Sequence, residues 1–143
     1  MSTAPDFSTI ALGDELAQIT LSFTRADLVA YAYASGDMNP IHRDEATAKA
    51  VGLPDVIAHG MLTMGRAIQV VTDWVGDPTQ VVDYSVRMTR PVVVPDTEEG
   101  VLVTFTGKVA AINDDHTVRV DLTATFDGQT VLGQARATVR FPA

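Results

Sequence analysis

Residues 60–75, Gly-Met-Leu-Thr-Met-Gly-Arg-Ala-Ile-Gln-Val-Val-Thr-Asp-Trp-Val, are apolar around most of a helical circumference. A helix of that kind is stable only where other structure encloses it. The stretch falls short of the ~20 residues of a bilayer span and carries Arg66, Gln69 and Asp73, so the covering has to come from the chain itself. The rest of the sequence supplies it. Segments near 81–89, 100–111, 117–126 and 130–141 read as strands, separated by turn residues at Pro95-Asp96, Asn113-Asp114-Asp115 and Asp127-Gly128. Earlier, residues 17–23 alternate apolar and polar with the period of a strand that buries one face.

About five antiparallel strands and one enclosed helix satisfy each other when the sheet curls around the helix. The expectation is an α+β chain with a single hot-dog fold, one domain over residues 1–143. Two smaller helices are also expected. Thr24 with Asp27 forms a capping-box pattern before a stripe of Ala26, Leu28, Val29, Ala32 and Tyr33 that stops at Gly36. An Ala-rich segment from Asp44 to Val51 stops at Gly52. Open strand edges make dimerisation the economical completion of such a sheet.

Composition narrows the function. The 143 residues are 46% apolar, enough for a self-sufficient core, and 10 basic against 18 acidic side chains leave a formal charge of −8. That balance argues against nucleic acid and against anionic membranes as partners. Without cysteine there is no disulfide, thiolate metal site or thiol nucleophile. The opening residues show no basic region followed by an apolar one, so the expected location is the cytoplasm, and Met1–Ser8 is given a frayed end with no function.

The densest polar cluster is Tyr-Ala-Ser-Gly-Asp-Met-Asn-Pro-Ile-His at residues 33–42, which places Asp37, Asn39 and His42 within six residues. Pro40 has a fixed φ and biases Asn39 to an extended conformation, so the span between carboxylate and imidazole is stiff. A positioned carboxylate and an imidazole together handle the proton traffic of adding or removing water. The competing reading makes Asp37 and Asn39 ordinary turn residues and His42 a satisfied loop histidine. A second segment, Ile57-Ala58-His59-Gly60-Met61, opens the apolar helix, and a helix N-terminus offers unpaired N–H donors. Glycine at 60 admits a carbonyl close to the main chain, which assigns its N–H to an oxyanion hole. Asp37, His42 and His59 lack ordinary ligand spacing and are not read as a metal site. His59 is given a packing or hydrogen-bonding role beside the substrate, and His116 is read as a solvated turn residue.

The two segments, with Ala48 five residues beyond His42, resemble the signature of the MaoC-like, R-specific enoyl-CoA hydratases (hydratase 2). Ser-Gly-Asp-Met-Asn-Pro-Ile-His, Ile-Ala-His-Gly-Met-Leu-Thr-Met-Gly and Trp-Val-Gly-Asp-Pro resemble, within that family, the B subunits of actinobacterial (3R)-hydroxyacyl-ACP dehydratases of mycolic-acid synthesis. The resemblance implies interconversion of trans-2-enoyl and (3R)-3-hydroxyacyl thioesters on CoA or acyl carrier protein, as a dehydration step of fatty-acid elongation. It implies Asp37 and His42 as the acid–base pair, Gly60 at the oxyanion and Asn39 as the residue orienting the loop or the water. No cofactor is implied beyond the phosphopantetheine arm bearing the substrate, and the partner is a second copy or a related hot-dog subunit.

For the acyl chain, Met61, Leu62, Met64, Ile68 and Val71 are the expected apolar lining. The cations available for a phosphate or an acidic carrier are Arg43, Lys49, Arg66, Arg87 and Arg90, with Arg87 and Arg90 preferred. Two other functions fit a hot-dog chain. One is a non-catalytic subunit that holds acyl chain or completes a dimer, against which the intact Asp37 and His42 argue. The other is a thioesterase, which needs a carboxylate on or beside the central helix, and the lack of any Asp or Glu in residues 60–72 weakens it.

Overall fold

The structure is a computed structural model that describes residues 3–143. Its elements are β1 (Ile19–Phe23), α1 (Arg25–Ser35), α2 (Glu45–Ala50), α3 (Gly60–Ala67), α4 (Gln69–Val75), β2 (Val81–Met88), β3 (Val101–Ile112), β4 (Thr117–Phe126), β5 (Gln129–Thr130) and β6 (Leu132–Arg140). All strand pairs are antiparallel, in the order β1-β3-β4-β6-β2, with the two-residue β5 added to β4. The expected sheet is therefore present, one short strand richer.

Local chemistry sets the helix boundaries. Thr24 accepts the Asp27 amide while the Asp27 carboxylate accepts the Thr24 amide, which closes both ends of the capping box. Gly36 ends α1 at φ 79°, a left-handed value that glycine adopts without a Cβ clash. Asp44 caps α2 by accepting the Thr47 amide.

Residues 60–75 depart from the expected single helix. The helix is interrupted at Ile68, which divides it into α3 and α4 although Ile68 itself keeps right-handed helical angles (φ −66°, ψ −17°). Nor is the stretch enclosed all round, because Met61 is 60% exposed and Gln69 and Asp73 face solvent. What faces inward, Thr63, Ala67, Val70, Val71 and Val75, meets the concave side of the sheet. Contact there is close. A Cβ on Gly107 of β3 would lie 3.0 Å from Val70 Cγ1, so the missing side chain is what lets α4 settle on the sheet. The core continues through Phe23, Val103, Phe105, Val118, Val120, Ala137 and Val139.

On the other flank of α3, Tyr84 of β2 donates its hydroxyl to the Met64 carbonyl at 2.7 Å. Burial pushes the Tyr84 phenol well above its usual range, which keeps it a donor. At the N-terminus, Asp6 caps a 3-10 turn over Phe7–Thr9, and Phe7 stacks on His116 with centroids 4.5 Å apart. The frayed end expected for Met1–Ser8 is thus corrected from Asp6 onward, with residues 1–2 lying outside the described part. His116 is not the free turn residue expected either, since its Nδ1 also meets the Pro142 carbonyl at 3.1 Å. Among the described residues no helix is long and apolar enough to cross a membrane.

Candidate active site

The loop between α1 and α2 is built by side chains that bond their own backbone. Asp37 Oδ1 accepts the Asn39 amide at 3.1 Å, and Asn39 Oδ1 accepts the Ile41 amide at 3.2 Å, capping a 3-10 turn over Pro40–His42. Arg43 reaches back to the Met38 carbonyl with Nε and Nη2. The stiffness expected from Pro40 is therefore reinforced from both sides. It delivers His42 to the interior, where the residue is only 8% exposed.

The His42 tautomer follows from its partner. Nδ1 lies 2.7 Å from the Ile57 carbonyl, which can only accept, so Nδ1 carries the proton and Nε2 holds a free lone pair. Burial lowers the His42 pKa below 6.5; the Ile57 bond opposes that, neighbouring His59 adds to it, and Asp37 opposes it. The ring is neutral at pH 7. Ile57 belongs to a short extended segment held on both flanks, its amide donating to the Ile41 carbonyl while Ala58 donates to Val92 and Val94 to Val56.

That segment runs into α3. The amides of Leu62 and Thr63 turn back to the His59 carbonyl, leaving those of Gly60 and Met61 without an acceptor among the described residues. Gly60 borders a cavity of about 350 Å³ with His42, Leu53, Ile57, Ala58, Thr63, Met88, Thr89, Arg90, Pro91, Val92, Val131 and Leu132. A Cβ at Gly60 would lie 3.0 Å from Met88 Sδ, so the strand end and the helix start close on each other here. The lining is mainly apolar, with a neutral imidazole, the buried Thr63, the exposed Thr89 and one guanidinium as its polar exceptions. Those are the ingredients for binding an acyl group and moving a proton at one end of it.

The residues expected in the site divide as follows. His42, Gly60 and Arg90 line the cavity. Asp37 sits beside them, with a ligand atom within 4.8 Å of His42 and of His59, and Asn39 holds the loop through its cap. His59 lies behind His42, buried and stacked on it at 3.9 Å. The two imidazole planes differ by only 25°.

Met61, Leu62, Met64 and Arg87, expected at the substrate, do not border this cavity. Met61 faces solvent, Leu62 packs on the core, and Met64 lies under Tyr84. Ile68 and Val71 likewise belong to the core side of the helix pair. Of the other cations, Arg43 braces its own loop, Lys49 pairs with Glu45, and Arg66 pairs with Asp27 over the Phe23 ring. Sequence reasoning missed Thr63 and Met88. Thr63 was reachable, being three residues along the helix from Gly60 and so on the same face.

Comparison with known proteins bears on this arrangement. A family model described as a MaoC like domain matches residues 8–126. An (R)-specific enoyl-CoA hydratase of Rhodospirillum rubrum is 31% identical over 128 residues, covering 89% of this chain and 85% of that protein. The 3-hydroxyacyl-thioester dehydratase X of Mycobacterium tuberculosis is 42% identical over 77 residues, 54% of this chain but 26% of the relative. A solved structure titled MaoC-like dehydratase superposes with a TM-score of 0.93 at 44% identity, covering 97% of this chain and 43% of that one. The chain thus spans about a quarter and under half of the length of these last two.

Proposed function

The chain belongs to the MaoC-like domain family, and from that membership we propose that it catalyses the reversible hydration of trans-2-enoyl thioesters to (3R)-3-hydroxyacyl thioesters. One observation carries the reading. His42 is neutral, commits Nδ1–H to Ile57, and therefore offers Nε2 as a base at the wall of an apolar cavity.

In the dehydration direction, His42 Nε2 takes a proton from C2, the freed electron pair forms the C2–C3 double bond, and the C3–O bond breaks. The departing hydroxyl receives a proton from the Asp37–His42 pair and leaves as water. Hydration retraces these steps. Charge developing on the thioester oxygen is met by the Gly60 N–H at the positive end of α3. Asn39 acts at one remove, by fixing the loop. The reaction requires no cofactor. The acyl group arrives on the phosphopantetheine arm of CoA or of a carrier protein, and Arg90 at the cavity is the cation suited to its phosphate.

The reading also gives the chain a second hot-dog subunit, a copy or a related chain. β2 has β6 on one side only, and Val82 and Met88 on it are half exposed.

The test is loss of enoyl absorbance with a length series of trans-2-enoyl-CoA thioesters, for the wild type and for Asp37→Asn and His42→Asn. Each variant is expected to lose about 10²–10⁴ in kcat while staying folded, and the product to be the 3R alcohol. A folded wild type inactive at every length, alone and with its subunit partner, overturns the proposal, as does an Asp37→Asn variant of full activity.

A further inference from the structure

One buried nitrogen next to this site has no partner. His59 is 1% exposed, and its Nδ1 meets no donor or acceptor among the described residues. Its other nitrogen is engaged, with Nε2 lying 3.1 Å from the Asp37 main-chain carbonyl. A carbonyl only accepts, so the proton is on Nε2 and Nδ1 is a bare, desolvated lone pair. Buried unpaired nitrogens call for an explanation, because a carbon ring would fill the same space without that penalty. The rest of the ring supplies one. It stacks on His42 with centroids 3.9 Å apart, and the edge of Tyr31 from α1 packs against it at 4.8 Å. Its main-chain carbonyl meanwhile accepts the Leu62 and Thr63 amides of α3.

We propose that His59 is a positioning residue that sets the spacing of the acid–base pair, holding the Asp37 main chain by its Nε2–H and the His42 ring by stacking. Phenylalanine lacks the donor and an aliphatic chain lacks the flat face, so imidazole meets both needs despite the orphaned nitrogen. The proposal rests on the acid–base reading above.

Few other groups face His42. Asp37 comes from its own loop and Arg90 from across the cavity, while Arg43 is turned to the Met38 carbonyl. On α2, Asp44 is engaged with Thr47 and Glu45 with Lys49.

His59→Phe keeps the stack and removes the donor, whereas His59→Gln keeps a donor and removes the ring. With melting temperature as the folding control, His59→Phe is expected to lower kcat by about 10-fold or more with KM little changed, as misplacement of a reacting group does. His59→Gln is expected to move the acid limb of kcat/KM to higher pH, because His42 loses its dry neighbour. In an Asp37→Asn background, His59→Phe should cost under about 2-fold, since both changes remove one function. Full activity of His59→Phe, or losses that multiply in the double variant, overturns the proposal and leaves His59 a packing residue. Long-range ¹H–¹⁵N spectra of the wild type need no variant. The Nε2–H tautomer is expected for His59, and the Nδ1–H tautomer refutes the proposal even if enoyl thioesters prove not to be substrates.

Discussion

Replacing Gly60 by alanine separates folding from chemistry. The position opens α3 with a φ outside the left-handed region, so an L side chain is tolerated by the backbone. The added Cβ would meet Met88 Sδ at 3.0 Å, Cγ at 3.1 Å and Cε at 3.2 Å. All three atoms belong to the free part of a flexible side chain that is 49% exposed, and it can swing aside. The cost to stability is therefore about 1 kcal/mol or less. The cost to catalysis is larger, because the methyl group and the displaced thioether crowd the amide assigned to the thioester oxygen. Loss of one such donor is worth about 2.7–4 kcal/mol, or about 10²–10³ in kcat. Urea unfolding and enoyl-thioester hydration on the same preparation give both numbers. Activity within about 3-fold of wild type would refute the assignment of Gly60, and recovery of kcat on adding Met88→Ala would put the effect in the wall and not in the amide. Destabilisation beyond about 3 kcal/mol would refute the picture of a yielding Met88.

Two further outcomes are expected. Because burial holds His42 below its ordinary 6.5, the acid limb of kcat/KM should be centred below pH 6.5, and a limb centred above 6.5 would contradict the neutral-base assignment. The same sign applies to stability. The unfolded chain binds a proton at His42 before the folded chain does, so the stability from that site is complete above pH 6.5 and is lost as pH falls from there through the folded value; urea midpoints between pH 7 and 5 should show a shallower slope in His42→Asn. Gly107→Ala is the counterpart of the first experiment, since its Cβ would press on Val70 Cγ1 at 3.0 Å, Val120 Cγ1 at 3.2 Å and Leu122 Cδ2 at 3.3 Å. Those branched core chains have nowhere to go, so a loss of about 1–3 kcal/mol is expected in denaturant unfolding, with kcat little changed.

Where a feature depends on neighbours in sequence, the chain announced it. The capping box at Thr24 and Asp27, the stop at Gly36 and the stiff loop ending at His42 are all written within a few residues, and each formed as read. The interruption at Ile68 was not legible, because no glycine or proline marks it and the apolar pattern runs through it. Met61 shows a second limit, since hydrophobicity tells that a residue is apolar but not which face of α3 the sheet will cover. Arg87 and Arg90 were expected together at the substrate, and a geometric reason separates them, since only Arg90 borders the cavity. β2 and β6 shift register between Ser85 and Arg87, where Gln134 takes φ 46°, and such an irregularity re-aims side chains in a way simple alternation cannot show. The far wall, Val131 and Leu132, comes from the other end of the chain and carries no motif.

The hydrogen bond from Tyr84 to Met64 ties the two jaws of the cavity together. Met64 is four residues from Gly60 along α3, and Tyr84 is four residues from Met88 along β2. The bond thus acts as a pivot pin set back from the mouth, with one helical turn as the short arm and about 13 Å of strand as the long one. Spreading the mouth by rotation about that pin moves Met88 roughly twice as far as Gly60. Any opening of the mouth is therefore taken up more by Met88 on the strand side than by the Gly60 amide at the start of α3.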